Sequence, residues 1–220
     1  MVKFLNYKII SVLLILSCFA TQAKNTTIQV NDAEKNPLAN IVVYVEPENI
    51  SILPKEQQSA KPTATMDQVN RQFLPHILVV NKSTNVSFPN SDKIKHHVYS
   101  FSPAKTFEIK LYSDEQSSPL LFNHTGEVTL GCNIHDWMLG YVYVVDTPWF
   151  GKTDLQGKLE FDLPKGQYTL KIWHPLLQDS DKSLTQKITI SDDNNFVINL
   201  TEAMKPAYAA YEEDDELDDY

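Results

Sequence analysis

The chain has 220 residues with a formal net charge of −9, and 42% of its residues are hydrophobic. A chain this negative is a poor partner for the phosphate backbone of nucleic acid. Its length allows one large or two small domains, and its two cysteines exclude a disulfide framework.

The first 23 residues have the features of a cleaved secretory signal. Lysines flank a short polar start, residues 9–20 are almost wholly apolar, and Ala23 ends a cleavage site of small residues. The apolar run of about twelve residues is shorter than the roughly 20 that a transmembrane helix needs. We predict an exported, periplasmic protein that loses residues 1–23 and has no transmembrane segment. Leu16-Ser17-Cys18 leaves open a lipoprotein alternative, in which an acylated Cys18 anchors the chain.

The rest of the chain alternates short β-branched and aromatic runs with turn residues, and no long segment keeps a helical apolar period. This spacing predicts an all-β fold of the β-sandwich type, with helix only in small pieces. The predicted strands lie at residues 27–30, 41–45, 77–80, 85–88, 97–101, 106–111, 127–130, 141–145, 158–161, 167–173, 183–190 and 195–200.

Two adjacent histidines, His96 and His97, begin one of these strands, and a metal-binding loop follows about 35 residues later. After signal cleavage Cys132 is the sole thiol, with His135 and Met138 three and six residues behind it. A thiolate, two imidazoles and a weak axial thioether are the ligand set of a mononuclear copper electron-transfer site. The sequence therefore predicts one copper ion cycling between Cu(I) and Cu(II), with Cys132 as the short bond, His135 as an equatorial ligand and Met138 as the axial ligand.

Residues 66–145 resemble a cupredoxin of the plastocyanin and amicyanin type. The Cys-x2-His-x2-Met loop matches the amicyanin spacing, and Met138-Leu139-Gly140-Tyr141-Val142 matches the lead into the final strand of that family. The segment Phe88-Pro89-Asn90-Ser91-Asp92 before the histidines resembles the first-histidine segment of plastocyanin-like proteins. The whole chain also resembles exported proteins labelled methylamine-utilisation proteins. The resemblance implies a Greek-key cupredoxin sandwich that transfers electrons.

The chain departs from the family pattern His-Asn-Val, because it has His96-His97-Val98. By the motif His96 is the ligand, and His97 replaces an asparagine that helps to join the two ligand loops. Strand alternation favours His97, which shares a face with Tyr99 and Phe101. A β-bulge between His96 and Val98 would reconcile the two arguments. We assign the ligand to His96.

The segments on either side of this region resemble the two halves of a transthyretin-like, carboxypeptidase-regulatory-like β-sandwich. Residues 27–45 look like its first hairpin, and its Thr-Asp-x-x-Gly turn and Leu-Pro-x-Gly-x-Tyr strand occur only at residues 153–170. We predict that a cupredoxin domain at 62–147 is inserted into a split sandwich formed by 26–50 and 148–201. The alternative is a linear order, in which a small module follows the cupredoxin.

The C-terminal residues 202–220 are predicted to be a disordered tail, and residues 211–220 alone carry seven carboxylates and no basic residue. The tail either keeps the protein solvated or docks to a basic partner.

No enzyme site is predicted, because Cys132 and His135 in one loop suit metal ligation better than proton transfer. The remaining histidines, His76, His124 and His174, are predicted to be structural or solvent-facing. We expect a monomer that exchanges electrons with a redox partner such as a basic cytochrome or an oxidoreductase. Copper trafficking and a non-redox interaction module remain alternatives.

Overall fold

The computed structural model describes residues 24–53, 62–112, 118–178, 184–191 and 194–206. The predicted signal peptide and most of the acidic tail lie outside these ranges. The described part contains one 3₁₀ turn, Ile50–Ile52, and otherwise strands, so the all-β prediction is confirmed. The strands are β1 Lys24–Asn31, β2 Val42–Pro47, β3 Thr63–Thr65, β4 Asp67–Val69, β5 Gln72–Leu74, β6 Ile77–Asn81, β7 Thr84–Ser87, β8 His96–Ser102, β9 Lys105–Tyr112, β10 Leu120–Phe122, β11 Gly126–Cys132, β12 His135–Val145, β13 Phe150–Lys152, β14 Lys158–Leu163, β15 Gly166–Trp173, β16 Thr185–Ile190 and β17 Asn195–Asn199.

Strands β3 to β12 form one β-sandwich. A five-stranded sheet in the order β6-β12-β11-β8-β9 faces a three-stranded sheet in the order β10-β7-β3, and β4 pairs with β5 in a separate hairpin. Alternate side chains of the facing sheets meet in one buried core, because successive residues of a strand point to opposite faces. This core includes Met66, Phe73, Phe88, Val98, Leu130, Cys132, Met138 and Val142.

The strands at the two ends of the chain pair with one another. Sheet β14-β1-β17 contains one parallel pair, β1 with β17, and sheet β13-β2-β15-β16 is antiparallel. Their shared core is aliphatic apart from a few aromatic side chains, of which Tyr168 is fully buried. Among the described residues, β1 and β2 pair only with strands between residues 150 and 199.

A cluster of aromatic side chains joins the two sets of sheets. Tyr143 of β12 stacks on Trp173 of β15, with ring centroids 4.4 Å apart, and its hydroxyl lies 3.3 Å from that of Tyr44 in β2. Tyr141 meets the same Trp173 edge to face. The outer face of β12, the strand that begins at His135, is therefore packed against β2 and β15.

The twelve strands predicted from sequence are present. The five that were missed, β3, β4, β5, β10 and β13, have three residues each and are too short for an alternating pattern to show. No helix in the described part of the chain is long and apolar enough to cross a membrane.

Candidate metal centre

The β11–β12 hairpin determines where Cys132, His135 and Met138 lie. Cys132 pairs with His135 across a two-residue turn, whereas the preceding pair is Gly131 with Leu139. Three residues of β12, from Asp136 to Met138, therefore bulge out of register between the two pairs. Within this bulge Trp137 is 45% exposed, and Met138 is buried in the same core as Cys132.

Strand β8 brings the second histidine to the site. His96 is fully buried and lies on the core face with Val98 and Ser100, while His97 faces outward. The expectation from strand alternation was wrong, because the face shared by His97, Tyr99 and Phe101 is the outer one, and Phe101 is 80% exposed. The pairing with β9 does shift between His96 and Val98, as a bulge requires.

The extra residue of this bulge lies in β9. His96 pairs with Tyr112 and Val98 with Ile109, so two residues of β9 stand opposite His97. The alternation of β8 is therefore intact, and His96 points inward as Val98 does. The outward His97 places its Nε2 2.8 Å from Glu108 Oε1, and its backbone carbonyl accepts a hydrogen bond from Asn133 N–H. This backbone bond joins the two loops that carry the candidate ligands.

The structure brings one sulfur and two imidazole nitrogens together. Cys132 Sγ lies 3.7 Å from His96 Nδ1 and 3.6 Å from His135 Nδ1, and the three ligand atoms are all within 4.8 Å of one another. A neutral thiol has one proton, so at most one of these contacts is an S–H···N hydrogen bond.

A metal ion held by these three residues would account for both contacts. With metal–nitrogen and metal–sulfur bonds of about 2.0 and 2.3 Å and ligand angles between tetrahedral and trigonal, sulfur and nitrogen are separated by about 3.5–3.8 Å. The observed separations of 3.7 and 3.6 Å fall within this range. Both sulfur–nitrogen separations therefore fit a shared first-row metal ion, and the donor set of one thiolate and two imidazoles suits copper.

Asp92 fixes the ring of His96 from the far side. Its Oδ2 lies 2.7 Å from His96 Nε2, which leaves Nδ1 of the same ring free to face Cys132. Burial tends to raise the pKa of Asp92, but hydrogen bonds from Arg71 N–H, His96 and Asn70 N–H hold this pKa below its usual value. Asp92 is thus a carboxylate that orients the imidazole and increases its basicity as a ligand.

The two backbone donors to Asp92 come from the β4–β5 turn. Asn70 and Arg71 have φ angles of 52° and 57°, the left-handed conformation that a two-residue hairpin turn requires at both positions. Their amides reach Asp92 at 2.6 and 2.9 Å. This role of Asp92 is not visible in the sequence, because the donors lie more than 20 residues away in strands too short to predict.

His135 occupies the half-buried edge of the site. Its ring centroid is 4.9 Å from that of His96 and 5.5 Å from that of Trp137. Burial lowers the pKa of His135, and the neighbouring His96 and the positive charge of Arg71 lower it further. A neutral imidazole is the form that binds a metal, so this environment favours ligation by His135.

The other histidines lie away from this cluster. His124 is exposed, while His76 packs edge to face against Tyr141. His174 accepts a hydrogen bond from Leu176 N–H, and burial, together with the nearby His76, lowers the pKa of His174 to about 4.

Comparison with protein-family models and with curated proteins gives no match. Among solved structures, the chain is similar to a copper-containing nitrite reductase from Thermus scotoductus SA-01, at 21% identity and a TM-score of 0.37, over 46% of this chain and 25% of that one. It is also similar to a reduced Cu(I) form of an amicyanin mutant at pH 4, at 18% identity and a TM-score of 0.35, over 47% of this chain and 98% of that one. An oxidised amicyanin mutant aligns at 18% identity and a TM-score of 0.35, over 46% and 99% of the two chains. The chain thus spans about a quarter of the nitrite reductase.

Proposed function

We propose that this protein binds one copper ion through His96, Cys132, His135 and Met138 and transfers single electrons. The observation that carries the proposal is the approach of Cys132 Sγ to two imidazole nitrogens, at 3.7 and 3.6 Å. A bound copper ion would supply the one-electron redox chemistry. Met138 is assigned as the axial ligand from its spacing and from its burial in the core that contains Cys132.

The surroundings of the ligands favour electron transfer over substrate chemistry. Three candidate ligands lie in the β11–β12 hairpin of the five-stranded sheet. The fourth is His96, and Asp92 holds its ring in place. Ligands held by rigid elements move little when the metal changes oxidation state, so the reorganisation energy of electron transfer is small. His135 and Trp137 lie where this rigid site meets solvent, and we assign this edge as the port for electrons. No catalytic residue is assigned.

We further propose the domain order predicted from the sequence, with a cupredoxin at 62–147 inserted into a split carboxypeptidase-regulatory-like sandwich at 26–50 and 148–201. The pairing of β1 with β14 and β17, and of β2 with β13 and β15, supports this order. Export to the periplasm, removal of residues 1–23, membership of the methylamine-utilisation-like group and a monomeric state are proposals on the sequence alone. The redox partner is proposed to be a protein such as a basic cytochrome, which the acidic tail would attract.

Voltammetry of the copper-loaded mature chain tests the proposed role. We expect a reversible one-electron couple and repeated oxidation and reduction without loss of copper to a Cu(I) chelator. Copper that leaves the protein for the chelator on each reduction would instead indicate trafficking. Partner binding that survives Cys132→Ala unchanged would indicate an interaction module whose metal site is secondary.

A further inference from the structure

Gln68 carries a buried amide oxygen without a hydrogen-bond partner. The residue is fully buried in β4, and its Oε1 has no partner among the residues that the structure describes. Buried polar atoms in folded proteins are nearly always paired, since an unpaired one keeps the full cost of its desolvation. An unpaired buried oxygen of this kind therefore requires an explanation, such as an ion or a water molecule that binds to it.

The orientation of the Gln68 amide is fixed by its other contacts. Its Nε2 donates to the carbonyl of Pro89 at 2.8 Å and also contacts the hydroxyl of Tyr112. Tyr112 donates its one proton to the carbonyl of Phe88 at 2.8 Å, so its hydroxyl accepts from Gln68. Reversing the amide would place an oxygen against the Pro89 carbonyl, where neither atom has a proton to donate. Oε1 is therefore the atom left free.

Tyr112 connects this amide to the candidate metal centre. It is the residue paired with His96 across β8 and β9, and paired residues project from the same face of a sheet. Burial raises the pKa of the Tyr112 hydroxyl, and its hydrogen bond with Gln68 opposes this rise. Met66, two residues before Gln68, packs in the core that contains Cys132 and Met138. The Gln68 side chain is thus one hydrogen bond away from the residue that pairs with His96.

We propose that Gln68 Oε1 is an additional oxygen donor to the metal centre, held in place by Tyr112 and Pro89. This inference rests on the proposed copper site and adds a ligand that neither the loop spacing nor the histidine pair indicates. An amide oxygen is a harder donor than a thiolate or thioether, so it stabilises Cu(II) relative to Cu(I). Gln68 would therefore lower the reduction potential of the copper site and complete the coordination sphere of Cu(II).

The test compares Gln68→Leu, Gln68→Glu and wild type as full-length mature chains. Gln68→Leu removes the oxygen at similar volume, so we expect affinity for Cu(II) to fall about tenfold more than affinity for Cu(I). This ratio corresponds to a rise of about 59 mV in the potential. The Cu(II) paramagnetic resonance spectrum should change as well. Gln68→Glu keeps Oε1 and can donate to the Pro89 carbonyl only as the neutral, protonated acid, so its potential should stay close to that of wild type.

Ser100→Ala is the matched control. Ser100 is another buried polar residue on the core face of β8, and its hydroxyl accepts only a local bond from Ser102 N–H among the described contacts. We expect its potential and spectrum to match those of wild type. A Gln68→Leu protein with wild-type potential, spectrum and affinity ratio would overturn the inference and make Gln68 a packing residue. So would a Gln68→Glu protein whose potential moves in the same direction as that of Gln68→Leu.

Zn(II) affinity separates this inference from the proposed function. If wild type forms no copper–thiolate site, the electron-transfer proposal fails. Gln68→Leu should nevertheless weaken Zn(II) binding about tenfold if the oxygen reaches a metal held by His96, Cys132 and His135. Unchanged Zn(II) affinity in that variant would contradict the oxygen donor whatever copper does.

Discussion

At the scale of single residues, the choice between two adjacent histidines depends on which face of β8 each one takes. His96 lies on the core face beside Cys132, and His97 lies on the outer face beside Glu108. The family motif indicated His96. Strand alternation instead indicated His97, because the more apolar face of β8 was assumed to be the buried one. Phe101 on that face is 80% exposed, which no local pattern reveals.

Alanine at each histidine gives opposite results if the assignment is right. We expect His96→Ala to abolish the copper–thiolate absorption band and to weaken Cu(II) binding by more than the roughly 10–100-fold seen when an outer partner is lost. His97→Ala should leave the band in place, because its side chain bonds only to the exposed Glu108 among the described contacts. Titration with Cu(II), followed by visible absorption, measures both. A band lost in His97→Ala and kept in His96→Ala would reverse the assignment.

Asp92 is predicted to set the reduction potential through His96. Its carboxylate makes the imidazole a stronger donor, which favours Cu(II). Asp92→Asn should therefore raise the potential by about 59 mV if the preference for Cu(II) falls tenfold. Asp136→Asn is the control, since Asp136 is exposed next to His135 and undergoes the same change in charge. Equal shifts in the two variants, measured by voltammetry, would mean that charge alone acts.

At the scale of elements, two hairpins build the site, and only one was visible in the sequence. The β11–β12 hairpin has long, apolar strands around the ligand loop, so its existence and position could be predicted. The β4–β5 hairpin has three residues in each strand and a turn of Asn70 and Arg71 without glycine. Strand patterns and turn preferences both fail for such a segment. Its functions, the support of Asp92 and the placement of Gln68, arise from pairing across the fold.

Two glycines of the β11–β12 hairpin should respond differently to alanine. A Cβ at Gly140 would lie 2.7 Å from Cβ of Phe73, an atom close to the backbone of a buried residue. A Cβ at Gly131 would lie 2.8 Å from the ring end of Tyr99, which can swing toward solvent. We expect Gly140→Ala to cost about 1–3 kcal/mol in the free energy of unfolding, as overpacked core sites do, and Gly131→Ala to cost less.

Urea denaturation of the metal-free proteins measures this difference. Because both variants add one methyl group to the same hairpin, differences in helix or strand propensity largely cancel. A larger loss for Gly131→Ala would show that Phe73 yields more readily than Tyr99, and that β5 packs less firmly over β12 than the structure indicates.

At the scale of the whole molecule, the strand that carries two candidate ligands also carries the contact between the two sets of sheets. β12 begins at His135, and its outer side chains Tyr141 and Tyr143 pack on Trp173. The proposal that the two ends of the chain form one split sandwich rests on turn and strand motifs in the sequence. The aromatic contact could not be predicted, since the residues involved are separated in sequence and appear in ordinary strand patterns.

Acid is predicted to weaken the fold near this contact through His174. In the folded chain the pKa of His174 is lowered to about 4, first by burial and then by His76, whereas an unfolded histidine titrates near its usual value. Below that usual value the unfolded chain binds a proton that the folded chain does not, so stability falls as the pH drops toward 4. We expect His174 to lower the free energy of unfolding by about 2 kcal/mol when the pH falls from 7 to 5.

His174→Asn tests this contribution. Asparagine offers an acceptor for Leu176 N–H and cannot titrate, so the variant should lose less stability than wild type over the same pH range. Urea unfolding at pH 7 and 5 measures the change in the free energy of unfolding for wild type and for His174→Asn. Equal acid sensitivity in both proteins would assign the loss to other groups.

Whether Cys132, His96 and His135 together hold one copper ion is tested most directly by the visible and paramagnetic resonance spectra of residues 24–220 after addition of one equivalent of Cu(II). We predict an intense thiolate-to-copper absorption band that saturates at one ion per chain and is absent from Cys132→Ala, a folded control that keeps both histidines. A folded wild-type protein that takes up no Cu(II), or that shows the same spectrum with and without the Cys132 thiol, would contradict the proposed copper site.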